Sequence, residues 1–169
     1  MKHVKAMWGV ALVLAMAAMG AHAQESKIGY INTQRITAES APAKAAQVKL
    51  EQEFAKRQKD LTDQQQALKT MSDKFERDAP TMSESQRAAK QKEFTDQSRD
   101  FQRNQRVFQE DLNTRRNDEL QQVLDKANKA VKQVADAEKY DLVIQEVVYS
   151  NGKHDITEKV LKILNSGAK

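Results

Sequence analysis

The sequence contains no cysteine, and its 169 residues include only two prolines and five glycines. Without cysteine the chain forms no disulfide, carries no cysteine-based zinc site and offers no thiol nucleophile. Glycine-rich phosphate loops of the G-x-x-x-x-G-K-S/T or G-x-G-x-x-G type are also absent from the sequence. These absences exclude the commonest enzyme classes, so we expect a protein without catalytic residues, metal or cofactor.

The first 23 residues have the pattern of a secretory leader. Lys2 and Lys5 precede an apolar run at 6–20, and Ala21-His22-Ala23 supplies the small residues of a cleavage site. This order is typical of a signal peptide (1–23). A membrane anchor is the alternative, although the apolar run is short for a span. Cleavage before Gln24 predicts an exported, soluble chain, most simply in a bacterial periplasm.

The mature chain is rich in charge but nearly balanced. Loss of the leader leaves one histidine, His154, and 26 basic residues against 24 acidic ones, a net charge of +2. A single histidine cannot build a conventional zinc site. The pI of the full chain, near 9.2, suggests a nucleic-acid binder. That interpretation is disfavoured because the mature charge is small and no aromatic stacking surface accompanies the arginines.

Residues 43–139, which we name the arm, read as helix almost throughout. The one clear interruption is at 78–83, where Pro80 ends the incoming helix. Ser83 and Gln86 have the spacing of a capping box for the next helix, and Thr81 with Glu84 is the alternative cap. The arm is therefore predicted to be two long helices joined by a tight tip near 78–83.

Large apolar residues recur every seven positions along both predicted helices of the arm. We name these residues the seam: Phe54, Leu61, Leu68 and Phe75 on the first helix, and Phe94, Phe101 and Phe108 on the second. Folding the chain about the tip pairs the last three of the first run with the second run, and the residue numbers in each pair add to 169. Phe54 then faces Arg115. Chance spacing is the alternative, but three consecutive pairs of large apolar residues favour an antiparallel coiled coil.

The apolar pattern shifts by one position beyond Leu112 and then continues toward the end of the arm. The second run consists of Leu120, Leu124, Ala127, Val131 and Val134. Such a shift changes the local winding of a coiled coil. The smaller residues of this second run predict closer packing near the root of the arm.

Residues 24–42 and 140–169, which we name the body, contain three short β-like runs at 27–32, 140–144 and 147–149. Asp155, three residues before Glu158, predicts the cap of a last helix. Three strands and one helix enclose too little core, so we expect subunits to share the body in an oligomer. The predicted fold is α+β, mostly α. Residues assigned to the shared body are Ile28, Tyr30, Leu142, Ile144, Val148 and Leu161.

Four segments carry a resemblance to a known family. They are K-I-G-Y-I-N at 27–32, N-T-R-R-N-D-E at 113–119, Y-D-L-V-I at 140–144 and D-I-T-E-K-V-L at 155–161. Their order, with the helical hairpin between them, resembles the Skp/OmpH family of periplasmic chaperones over 27–164. The resemblance implies a homotrimer with arms around a cavity. It also implies that unfolded outer-membrane proteins are held there without ATP. A structural coiled-coil protein of the envelope that holds no client is the alternative function.

Five arginines on the second helix of the arm resemble the basic region that the family is thought to use for lipopolysaccharide. They are Arg99, Arg103, Arg106, Arg115 and Arg116. The alternative is an ordinary solvated face, because residues 49–111 carry 13 basic and 13 acidic side chains. Met82, expected to be exposed at the tip, is a candidate first contact with client; its alternative is an ordinary tip residue.

Overall fold

The computed structural model describes residues 26–167 of the chain. In chain order it contains β1 (Ile28–Ile31), α1 (Thr33–Glu39), α2 (Ala41–Asp78), a 3₁₀ turn (Ala79–Thr81), α3 (Glu84–Glu138), β2 (Leu142–Gln145) and α4 (Thr157–Ser166). Helices dominate and the strands form one small pair, so the predicted α+β, mostly helical class is confirmed. The predicted signal peptide (1–23) lies outside the described residues.

Side-chain caps set the start of the first two helices. The Asn32 side chain accepts a hydrogen bond from the backbone N–H of Arg35 (3.0 Å), which caps α1. The buried Ser40 hydroxyl accepts from the N–H of Ala43 (3.3 Å). Pro42 lies in the first turn of α2, where no N–H partner is needed. The first helix of the arm therefore begins at Ala41, two residues before the predicted start.

The tip of the arm has the predicted capping box. The Ser83 hydroxyl accepts from the N–H of Gln86 (3.3 Å), and the N–H of Ser83 donates to the Gln86 side chain (3.0 Å). Arg87 also donates to the carbonyl of Ala79 (3.1 Å), across the turn. This box, rather than Thr81 with Glu84, starts α3. The helix then runs for 55 residues, or about 80 Å at 1.5 Å per residue.

The two strands pair in parallel, with Ile28 opposite Leu142 and Tyr30 opposite Ile144. Parallel strands need a crossover connection, and here the whole helical hairpin supplies it. On the other edge of β1, the N–H of Tyr30 donates to the carbonyl of His154 (2.8 Å). β1 is therefore held on both edges, by β2 and by the segment that leads into α4.

The third predicted strand, 147–149, is wrong for the single chain. Glu146 has a positive φ of 54°, a left-handed backbone that ends β2. The following residues form no strand within the described chain, and Val148 is fully exposed. β-branched residues favour a pleated, half-buried surface, and no such surface covers this segment here. The local composition was suited to a strand, but the pairing partner is missing.

The hydrophobic core lies where the root of α3 meets the sheet, α1 and α4. Its buried members are Ile31, Ile36, Ala127, Ala130, Val134, Ile156, Val160, Leu161 and Leu164. The predicted second apolar run of the arm is therefore partly wrong. The buried stripe on α3 is Val123, Ala127, Ala130 and Val134, whereas Leu120 is 43% exposed. From Ala127 onward, docking of α1 and α4 determines which face of α3 is buried.

Cross-contacts between α2 and α3 establish the antiparallel hairpin and correct its register. Lys49 contacts Glu119, Glu53 contacts Arg115, Arg57 contacts Asp111, and Gln64 contacts Asn104. In each pair the residue numbers add to 168 rather than the predicted 169. Phe54 was predicted to face Arg115, but its ring packs edge-on against Phe108 with centroids 5.6 Å apart. Long aromatic side chains reach along the seam, which a facing-residue rule does not capture.

The seam residues differ in burial, so we expect them to contribute unequally to the free energy of unfolding. Phe108 is 4% exposed and Phe54 5%, whereas Phe101 and the other predicted seam residues are half-buried. We expect Phe108→Ala to lower the free energy of unfolding by about 3 kcal/mol, because a full cavity forms. Phe101→Ala should cost less than about half as much, since water already reaches that ring. Urea unfolding followed by circular dichroism measures both; equal losses would contradict this ranking.

Candidate functional site

One face of the two-stranded sheet is apolar and uncovered in the single chain. Ile28 is 39%, Ile144 37% and Leu142 52% exposed. The parallel register places Ile28 beside Leu142, and Tyr30 beside Ile144. Because alternate side chains of a strand share a face, these four lie on the same side of the sheet. We name them the sheet face.

The opposite side of the sheet packs on the core. Ile31 is buried, and Val143 packs partly buried against the same cluster. Gly29 is buried because the Tyr140 ring approaches it closely: an added Cβ would lie 3.2 Å from two ring carbons and 3.3 Å from Ile156 Cδ1. A larger residue at this position would require the Tyr140 and Ile156 side chains to move by a few tenths of an ångström. The sheet thus has one face packed on the core and one face exposed to solvent.

A loop of exposed apolar residues continues from the end of β2. Val148 is fully exposed and Tyr149 is 84% exposed. A contiguous exposed apolar surface of this kind is the usual mark of a protein contact site. The sheet face and this loop therefore form the candidate site for association with another protein chain.

The residues assigned to the shared body separate into two groups. Ile28, Leu142, Ile144 and Val148 are exposed, as a contact surface requires. Tyr30 is half-buried, and its hydroxyl donates to Asp155 (3.1 Å). Leu161 is 4% exposed and belongs to the core of its own chain, on the buried side of α4. Asp155, the predicted cap, precedes the structural cap position by one residue, and its carboxylate accepts from the N–H of Thr157 (2.8 Å).

Charged groups fasten β1 to the end of α3. The Lys27 ammonium lies 4.2 Å from the centre of the Tyr140 ring and donates to the carbonyl of Glu138 (2.8 Å). Lys159 of α4 pairs with the Glu138 carboxylate at 2.6 Å. Its hydrogen bond lowers the pKa of Glu138 below the ordinary value, and the same contact raises the pKa of Lys159. The sheet face is therefore carried on a firmly attached strand.

In the half of the arm nearer its root, an aromatic pair between α2 and α3 is covered by a guanidinium group. Arg57 lies 5.6 Å from the ring centres of both Phe54 and Phe108, and also pairs with Asp111 at 2.9 Å. The arginine thereby covers the aromatic pair with its planar group while its charge is balanced. Beyond this point toward the tip, no side chain of the described arm is fully buried.

A buried carboxylate lies at the centre of an ion-pair cluster near the root of the arm. Glu119 is 5% exposed and accepts hydrogen bonds from Lys49 and, at 3.1 Å, from Arg115. Arg115 also pairs with Glu53 at 3.1 Å, a contact that raises its pKa. The hydrogen bond from Lys49, aided by the charge of Arg115, holds the pKa of Glu119 below its ordinary value. This cluster links α2 to α3.

The five predicted anion-contact arginines do not act as one group. Arg115 is committed to the cluster with Glu53 and Glu119. Arg103 pairs with Asp100 at 3.0 Å, and Arg106 lies 3.9 Å from Glu110. Within residues 26–167, Arg99 and Arg116 form no ion pair with an acidic side chain. Arg99, Arg103 and Arg106 have the spacing of one helix face.

Met82 at the tip is half-buried rather than exposed as predicted. It lines a cavity of about 450 Å³ together with Met71 and Phe75. The structure also shows what the sequence pattern did not: both methionines line one cavity, because the turn brings Met82 back beside the end of α2.

Neither a metal centre nor a membrane span is found in the described part of the chain. Within residues 26–167, no group of three or more histidine, aspartate or glutamate side chains is arranged to hold a metal ion. None of the helices in that range combines the length and the apolar character needed to cross a bilayer.

The fold and its open surfaces define a class: a long helical hairpin rooted in a small α/β body with an uncovered apolar sheet face. The chain matches a family model described as "Outer membrane protein (OmpH-like)" over residues 27–164. It therefore belongs to the OmpH-like family, and the predicted Skp/OmpH membership is confirmed.

Similar proteins share most of their length with this chain. Proteins named "Chaperone protein Skp" from Yersinia enterocolitica and Photorhabdus laumondii are 33% and 34% identical to it. The first match covers 89% of this chain and 93% of the relative, and the second covers 93% and 94%. The Skp of Vibrio cholerae is 26% identical, covering 97% of this chain and 99% of its own. These relatives are named as chaperones, not enzymes.

A solved structure has the same fold. An OmpH-like outer membrane chaperone from Caulobacter crescentus superposes with a TM-score of 0.72 at 19% identity, covering 84% of this chain and 85% of its own. At this identity the likeness concerns the fold alone. It agrees with a helical arm on a small β-containing body.

The Glu119 cluster predicts that acid weakens the root of the arm. Because the native pKa of Glu119 is lowered, its contribution is fully present above the ordinary carboxyl pKa and is lost as the pH falls through the native pKa. We expect Glu119→Gln to lower stability at neutral pH and to approach wild type in acid. Thermal unfolding at a series of pH values tests this. Glu76→Gln, at an exposed position outside the ion pairs, is the control; a pH-independent effect of Glu119→Gln would contradict the assignment.

Proposed function

We propose that the mature chain is an ATP-independent periplasmic chaperone that forms a homotrimer and holds unfolded outer-membrane proteins between its arms. The observation that carries this proposal is the separation of two surfaces. An apolar sheet face is open for assembly, while the arm beyond Phe54 and Phe108 carries apolar residues that are at most partly buried. Membership of the OmpH-like family, with relatives named as Skp chaperones, supports the same function.

Self-association is supported by the size and chemistry of the body. A two-stranded sheet is marginal alone, and the outer edge of β2 leaves backbone groups unpaired by any described strand. Burying Leu142 and Ile144 against a second copy removes apolar surface from water, which favours assembly. In such an assembly residues 147–149 would gain the neighbouring strand that the single chain lacks. Three copies are the number that the family resemblance implies.

Client holding is supported by the character of the arm. Half-buried residues such as Leu68, Phe75 and Phe101 present apolar edges within a largely polar helical pair. Many weak contacts of this kind suit clients of varied sequence. Because the seam is fully buried only at Phe54 and Phe108, we expect the outer arm to bend as it adapts to a client.

Export explains why no nucleotide site is needed. The leader pattern at 1–23 directs the chain to a compartment that lacks ATP, and the sequence contains no glycine-rich phosphate loop. Holding without release by hydrolysis requires contacts that are individually weak. The exposed and half-buried apolar side chains of the arm meet that requirement.

Contact with lipopolysaccharide or another anionic membrane surface is an additional part of the proposal. It rests on Arg99 and Arg116, which are without ion-pair partners among residues 26–167, together with Arg103 and Arg106. Arg115 is less available because Glu53 and Glu119 already neutralise it. Surface charges attract anions weakly and the attraction is screened by salt, so this contact should disappear at high ionic strength.

Client holding is tested by diluting a urea-unfolded porin into buffer with the mature protein. We expect light scattering from porin aggregates to be suppressed at about one assembly per porin. A protein of similar size without open apolar surface serves as the control. Unchanged aggregation would instead favour the alternative, a structural coiled-coil protein of the envelope.

Assembly through the sheet face is tested by Leu142→Asp. A carboxylate cannot be buried without large cost, so this variant should sediment as a monomer. The control, Val48→Asp, makes the same kind of change at an exposed valine of the arm and should leave the assembly intact. Analytical ultracentrifugation gives both masses. A trimer formed by Leu142→Asp would show that the sheet face is not the assembly surface.

A further inference from the structure

The sulfur atoms of the described chain are concentrated at the tip of the arm. The protein has no cysteine and six methionines. Within residues 26–167 the methionines are Met71 and Met82, on opposite sides of the turn. Both line the cavity of about 450 Å³ that also includes Phe75. The thioethers of Met71 and Met82, eleven positions apart in the sequence, thus line one pocket near the tip of the arm.

The pocket is open to solvent and its frame is fixed. Both methionines are half-buried, so small solutes can reach the sulfur atoms. The turn is held by the Ser83 capping box and by the hydrogen bond from Arg87 to Ala79. A chemical change in the methionine side chains can therefore alter the pocket without unfolding the hairpin.

We propose that Met71 and Met82 form an oxidation site, at which peroxide or hypochlorous acid converts the thioethers of the tip pocket into sulfoxides and weakens its hold on apolar client segments. The second half rests on the proposed holding function. Methionine is a flexible, polarizable residue that suits adaptable apolar contacts. Oxidation replaces it with a polar group that disrupts such contacts.

The reaction is balanced without any group from the protein. A thioether sulfur donates an electron pair to one oxygen of the peroxide, forming the S–O bond while the O–O bond breaks, and water is released. With hypochlorous acid the O–Cl bond breaks, and chloride and a proton are released. In each case sulfur is oxidised by two electrons and the oxidant is reduced by two. Methionine sulfoxide reductases reverse the change.

The modification is tested on the mature assembly treated with peroxide and then freed of it by gel filtration. Mass spectrometry should show one added oxygen on each of the peptides that contain Met71 and Met82. A free methionine peptide in the same tube reports the intrinsic rate. Reaction at the tip more than about tenfold slower than in that peptide would overturn the assignment of an accessible site.

The effect on holding is tested by adding unfolded porin after the oxidant is removed, so that the client itself stays unmodified. We expect oxidation to raise the concentration needed for half-suppression of aggregation several-fold, and sulfoxide reductase to restore it. The double variant M71L/M82L keeps apolar volume without sulfur and should hold porin before and after treatment. M82Q should resemble the oxidised protein.

The outcomes separate the two proposals. If untreated protein holds porin and the oxidised protein holds it equally well, the oxidation inference is wrong and the chaperone function stands. If M71L/M82L loses holding on treatment as wild type does, the effect arises elsewhere and the inference is again wrong. If untreated protein fails to hold porin, the chaperone function and the effect of oxidation on it both fall, while the oxidation site itself is still decided by mass spectrometry. Circular dichroism must show unchanged helix content after oxidation; a loss would indicate unfolding rather than an altered pocket.

Discussion

The structure depends on the packing of the small body against one stripe of α3. Ala127 and Ala130 are small enough for α1, α4 and the sheet to approach the helix closely, and Val134 fills the end of the stripe. Close packing of this kind gives dispersion contacts that looser interfaces lack. Because the same helix continues to the tip, the core that stabilises the body also roots the arm. The body and the arm are therefore joined by one continuous helix, α3.

This arrangement uses most of the apolar surface at one end of the chain. What remains is divided between the sheet face, whose exposed members include Leu142, and the partly covered seam of the arm. The sheet face is compact and carried on a strand fixed by Lys27 and Tyr140, as an assembly surface requires. The seam is extended and weakly buried, which suits transient contacts. The chain therefore exposes two kinds of apolar surface, a compact one on the sheet and an extended one along the arm.

Local sequence signals predicted the elements well, and packing decided what they missed. The Ser83–Gln86 cap and the seven-residue spacing depend on neighbouring residues alone, so both were readable from the sequence. The register differed by one because four polar cross-contacts, such as Lys49 with Glu119, determine how the helices align. Leu120 was misplaced because the buried stripe of α3 passes through Glu119 and Val123 instead. The 147–149 run needs a strand that the single chain does not provide.

The candidate surfaces also show that packing, rather than local sequence, decides which side chains are exposed. The β-like composition of 27–32 and 140–144 predicted the two strands, and pleating then places Ile28, Tyr30, Leu142 and Ile144 on one side of the sheet. Leu161 has the same apolar character but lies in the core, because α4 turns its hydrophobic side inward. The arginines differ for an electrostatic reason: Arg115 is neutralised by partners on both helices, and only the folded hairpin brings those partners near. Residue type therefore predicts which side chains can form a contact surface. The neighbours that folding brings close determine whether each of those side chains is exposed and unpaired.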